Sequence, residues 1–75
     1  SDIRYVILDI TTGKYVKKTD SINEEDEIVY CQSVFDAWFF IDRKNAQRIQ
    51  ILCQKLIPNP FKIFKIIVTC EHVGG

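Results

Sequence analysis

Side chains able to do chemistry are few in this 75-residue chain. Cys31, Cys53 and Cys70 are its only thiols, and His72 is its only imidazole. A Cys70–His72 pair could in principle supply a thiolate nucleophile with its base. Residues two apart on a strand point to the same side without facing one another, however, and no third group is placed to orient the ring. A metal site built from Cys70, His72 and another thiol has no local ligand pair, and the thiol spacing fits no Cys-x-x-Cys motif. Cys53 and Cys70 lie in strongly apolar stretches and read as core residues rather than nucleophiles.

Phosphate chemistry is equally unsupported. Gly13, Gly74 and Gly75 are the only glycines, so no glycine-rich phosphate loop exists. No catalytic residue, cofactor site or metal site is assigned on these grounds, and enzymatic activity is not expected.

Charge clusters remain as candidates for binding. Asp20, Glu24, Glu25, Asp26 and Glu27 form an acidic stretch without the alternating ligands or turn glycine of a calcium loop. It reads as a solvated loop that could also dock on a basic partner. Arg43, Lys44, Arg48 and Lys55 form a basic set that could meet nucleic acid or simply face solvent. Residues 1–42 carry four basic and nine acidic groups, whereas residues 43–75 carry six basic groups and Glu71 alone. The net charge of zero therefore hides a split of −5 and +5.

The elements that must position these groups follow from patterning. Hydrophobic residues make up 47% and charged residues 27%, a globular balance, and 75 residues suit one domain spanning the whole chain. Five Phe, three Tyr and one Trp supply the apolar density so small a core needs. Ile3–Ile10 is β-branched and aromatic with apolar groups on both faces, which predicts a central strand. Thr11–Gly13 predicts a tight turn and Lys14–Lys18 the returning strand. Glu27–Cys31 is expected to be extended. Ala37–Ile41 is either a strand or the start of one long helix beginning at Phe35.

Asp42 favours the first reading. It is a good N-cap residue ahead of Ala46, Ile49, Cys53 and Leu56 at helical spacing, so a helix is predicted over about Arg43–Leu56. Pro58-Asn59-Pro60 ends it. Phe61–Glu71 alternates apolar residues onto both faces, which predicts a strand that is central or covered by a partner. The expected fold is α+β, in the order β-β-(β)-β-α-β: a small antiparallel sheet of three to five strands with one helix packed across it.

Three cysteines cannot all pair within one chain, and no apolar run reaches the roughly 20 residues of a membrane span. Reduced thiols in a cytoplasmic setting are expected. Gly74-Gly75 after a strand is similar to the tail of ubiquitin-like modifiers, but the helix comes too late in the chain for that fold.

Tyr5-Val6-Ile7, Asp9, Thr12-Gly13-Lys14-Tyr15-Val16, Ala37-Trp38-Phe39-Phe40 and the helix opening Asp42-Arg43-Lys44-Asn45-Ala46-Gln47 span nearly the whole chain. This pattern resembles small single-domain proteins of bacteriophages and mobile elements, of β-hairpin–strand–helix–strand type. The resemblance rests on structural signatures and carries over no functional residue. It implies an accessory protein that binds and inhibits a host or defence protein by occupancy, in the host cytoplasm. A homodimer is also expected, since two-sided apolar strands in a small domain leave surface to cover. The alternatives are a nucleic-acid-binding protein using the helix of residues 43–55, and an oligomeric small-molecule binder with a pocket of Trp38, Phe39, Tyr15 or Tyr30.

Overall fold

The computed structural model describes residues 2–17, 28–69 and 73. Four strands, β1 (Asp2–Asp9), β2 (Lys14–Val16), β3 (Tyr30–Cys31) and β4 (Phe61–Val68), form one antiparallel sheet in the order β3-β2-β1-β4. The one α-helix among the described residues, α1 (Arg43–Leu56), crosses one face of it. The α+β class and the helix bounds agree with the sequence expectation.

β1 is central, as its two-sided apolar pattern implies. It pairs with β4 along its whole length, from Asp2 opposite Val68 to Asp9 opposite Phe61. That register puts Tyr5, Ile7 and Asp9 on the helix side with Phe61 and Ile63, and Val6 and Leu8 on the back with Phe64 and Lys62. The core on the helix side joins Ile7, Val16, Ile28, Phe40, Ala46, Cys53 and Phe61, with Tyr30, Ile49 and Leu56 packed against it. Burying each of the larger members contributes roughly 1.5–3 kcal/mol.

One member of that interior is an acid. Asp9 is fully buried on the helix side, at the end of β1. Its Oδ1 accepts the backbone N–H groups of Thr11 at 2.9 Å and Thr12 at 3.3 Å. Its Oδ2 accepts the Tyr30 hydroxyl at 2.7 Å and the Asn59 side-chain amide at 3.0 Å. Burial alone would raise its pKa. The bonds from Asn59, Tyr30, Thr12 and Thr11 outweigh that and hold the carboxyl below its ordinary value of 3.8. The carboxylate also shapes the turn: β1 stops at Asp9, earlier than the expected Ile10, where Asp9 holds the amides of Thr11 and Thr12. Gly13 closes the turn at φ 71°, and its N–H donates to the Asp9 carbonyl at 2.8 Å.

Three further expectations are corrected. The Ala37–Ile41 run is neither a regular strand nor part of a helix from Phe35. A short 3-10 turn at Val34–Asp36 precedes it, and Ala37 is extended at φ −70°, ψ 161°. The run is held by two isolated bridges, Lys17 to Ala37 and Tyr5 to Phe40, where it takes over the β1 edge that three-residue β2 leaves free. The strand around Tyr30 covers only Tyr30–Cys31, and Glu27 lies outside the described residues. β4, expected to be central or covered by a partner, is not central within the chain: it is an edge strand of the described sheet and ends at Val68.

The helix ends as predicted. The Asp42 carboxylate accepts the Lys44 N–H at 2.9 Å, and Ile57 turns extended ahead of Pro58 at φ −135°, ψ 127°.

Asp9→Asn is expected to cost about 2–4 kcal/mol in chemical denaturation, since it weakens several bonds to a buried charge at once. In the wild type the unfolded chain takes up a proton at Asp9 before the folded one does. Stability should therefore hold above about pH 4 and fall as pH drops below 3.8. An acid limb unchanged in the Asp9→Asn variant would contradict this account.

Candidate functional site

Extended backbone puts alternate side chains on the same side, so Trp38 and Phe40 stack together while Phe39 turns outward. Their ring centroids are 4.7 Å apart at an interplanar angle of 32°. The segment is fixed at both ends. The Trp38 N–H donates to the Val16 carbonyl at 2.9 Å, and Phe40 exchanges two bonds with Tyr5 at 2.7 and 2.8 Å. α1 starts three residues after Phe40 and lies alongside, so Asn45, Arg48 and Ile49 face the aromatic pair. Together the five residues line a groove of about 330 Å³. It has an aromatic wall, an apolar floor and one guanidinium at its rim.

The surroundings of this groove are unusually apolar. Phe35 is 86% exposed and Ile41 75%, and Phe39 is also exposed, all within the same connection between β3 and α1. A large apolar side chain held in water in a short, backbone-anchored connection is not needed for the core.

The basic set divides. Lys44, Arg48 and Lys55 fall within roughly 40° of one another at the helical 3.6 residues per turn, on the exposed side of α1. Arg43 instead lies toward the sheet, at a second groove of about 280 Å³ with Tyr5, Ile63 and Lys65. Among the described residues the only ion pair is Arg4 with Asp2 at 3.6 Å, so these cations have no carboxylate partner there. Lys62 and Lys65 are on opposite faces of β4, as expected. The acidic candidates Asp20, Glu24, Glu25, Asp26 and Glu27 lie outside the described residues, as do Cys70, His72 and Gly74-Gly75.

Within a single chain Trp38, Phe39, Tyr15 and Tyr30 do not line a common groove. Tyr15 is on the back of the sheet, Tyr30 is bound to Asp9, and Phe39 points away. What does assemble is Trp38 with Arg48, two residues that sequence reasoning placed in separate surfaces. The usable signals were the alternation Ala-Trp-Phe-Phe and the short reach from Phe40 to the Asp42 cap.

The two described thiols are poor nucleophiles. Cys53 is fully buried, and burial, followed by the nearby Asp9 charge, pushes it up to about 11. Cys31 is half-buried, with its Sγ donating to the Ser33 carbonyl at 3.3 Å. Burial and the Asp36 charge raise it, with Lys17 opposing. No group of three or more metal-ligating side chains occurs among the described residues, and no helix there is long and apolar enough to cross a membrane. Comparisons with protein-family models, curated proteins and solved structures return no match.

Alkylation of the native protein near neutral pH should spare Cys53 and label Cys31 slowly, with Cys53 reacting only on unfolding. Peptide mapping by mass spectrometry checks this. Rapid native labelling of Cys53 would mean that its surroundings open.

Proposed function

We propose that this chain is a non-catalytic protein-binding module that contacts its partner through the Trp38–Arg48 groove and the apolar connection around it. The observation that carries this reading is the exposure of Phe35, Phe39 and Ile41 beside a groove walled by Trp38 and Phe40. Trp and Arg dominate the energetics of protein interfaces, and they do so at the centre of a patch ringed by other apolar contacts. Action by occupancy needs no more than such a surface. The likeness to small phage and mobile-element proteins makes a host or defence protein the proposed target.

Affinity capture from the native host with the wild-type chain as bait should retain one dominant partner, identified by mass spectrometry. Phe35→Asp and Arg48→Glu should each weaken its binding by about tenfold or more while leaving the thermal midpoint unchanged, since both side chains are exposed. Full binding by both variants would place the interface elsewhere. Charge reversal at Glu24, Glu25, Asp26 and Glu27 then tests the acidic stretch as the alternative contact.

A second reading, nucleic-acid binding, is favoured by one observation: Lys44, Arg48 and Lys55 share one exposed stripe on α1 without a carboxylate partner among the described residues. Three phosphate contacts would make affinity fall by tens of fold between 50 and 200 mM salt, and each Lys→Gln change would reduce the salt slope by about one. Titration of labelled DNA and RNA at both salts decides. Absent or salt-independent binding removes this reading.

A further inference from the structure

Among the described residues, no strand pairs with the outer side of β4. The bond from the Ile10 N–H to the Pro60 carbonyl sets the phase of the β1–β4 ladder. Lys62, Phe64, Ile66 and Val68 turn their N–H and C=O groups toward β1, and Phe61, Ile63, Lys65 and Ile67 turn theirs outward. Gln50 donates its side-chain amide to the outward Phe61 carbonyl at 2.6 Å, which closes that end. From Ile63 to Ile67 no hydrogen bond from another described residue reaches the outward groups. The register to β1 is unbroken over eight residues, with no bulge and no proline. Of the usual protections of an edge strand, β4 itself carries only lysines.

We infer that a second copy of this chain occupies this edge, with β4 pairing antiparallel to the partner's β4 about a two-fold axis at Ile66, so that the two sheets become one of eight strands. This inference does not rest on the protein-binding reading above and uses a different surface.

Side-chain chemistry selects the register. A two-fold axis normal to the sheet sets one residue opposite its own copy. Centring on Lys65 would oppose two ammonium groups. Centring on Phe64 would need the Phe61 carbonyl that Gln50 already holds, and would leave Val68 unmatched. Centring on Ile66 sets Phe64 opposite the partner's Val68 and Lys65 opposite the partner's Ile67. It covers the large apolar residues that β4 exposes most, Ile67 at 63%, Phe64 at 45% and Val68 at 42%.

Light scattering from micromolar to near-millimolar concentration should show the wild type approaching twice its 8.8 kDa chain mass. Ile67→Pro removes an outward N–H that the fold itself does not use, so this variant should stay monomeric with an unchanged circular dichroism spectrum. Val68→Lys, which sets a charge opposite Phe64, gives the same readout should the proline variant unfold. With Cys31 and Cys70 replaced by Ser, Ile66→Cys should oxidise to a covalent dimer, because non-hydrogen-bonded antiparallel partners sit about 4.5 Å apart at Cα. Phe64→Cys should not. A wild type that is monomeric throughout would overturn the inference, and so would a dimer untouched by both edge variants. Cross-linking at Phe64→Cys in preference to Ile66→Cys would overturn the register.

Discussion

The buried carboxylate of Asp9 is the constraint on which the rest of this structure depends. An ion placed inside a small apolar core is unfavourable by several kcal/mol unless its oxygens are fully bonded. Here four donors meet it, from the turn after β1, from β3 and from the loop before β4. Each donor sits on a segment that has little else to hold it. β3 is two residues long, and the Pro58–Pro60 loop lacks two backbone donors. Asp9 thus converts its own desolvation into a demand that three separate segments arrive together. The consequences reach the neighbouring groups: its charge helps raise both the Tyr30 hydroxyl and the Cys53 thiol, which stay neutral.

The same economy explains the aromatic segment before α1. β2 is too short to pair with all of β1, so the exposed stretch of the β1 edge would hold unpaired amides. Phe40 satisfies Tyr5, and Trp38 satisfies Val16. Filling that gap fixes the backbone of residues 37–40, and a fixed backbone can hold Phe39 in water and aim Trp38 at Arg48. The groove is a by-product of closing the sheet.

Elements with a local cause were legible in the sequence. Asp42, the helical spacing of Ala46, Ile49, Cys53 and Leu56, and the prolines after Ile57 specify α1 within the chain segment itself, and its bounds came out as read. The β1–β2 hairpin was legible for the same reason, through Gly13. What escaped depended on distant partners. Nothing near Asp9 in sequence announces Tyr30 or Asn59, and an acid in an apolar strand reads equally well as a solvent-facing residue. The 37–41 run has strand composition, but its conformation is set by how much of the β1 edge β2 leaves free. β4 has the two-sided apolar pattern of a central strand while lying at the edge, because pattern reports which faces are apolar and says nothing of which edges are paired. The Trp38–Arg48 groove was missed for a related reason: each residue was visible, but their meeting is a matter of where α1 lies.

The β1–β4 pairing also imposes an order on how the molecule comes together. β1 is synthesised before its longest partner, from which it is separated by the whole of β2, β3 and α1. Until residues 59–68 have left the ribosome, β1 lacks a neighbour along one entire side and Asp9 lacks its Asn59 donor. The hairpin and the helix can form early from local contacts, but the sheet cannot close around its acid until the last strand arrives. Between the synthesis of β1 and that of β4, the nascent chain therefore carries a central strand with one edge unpaired.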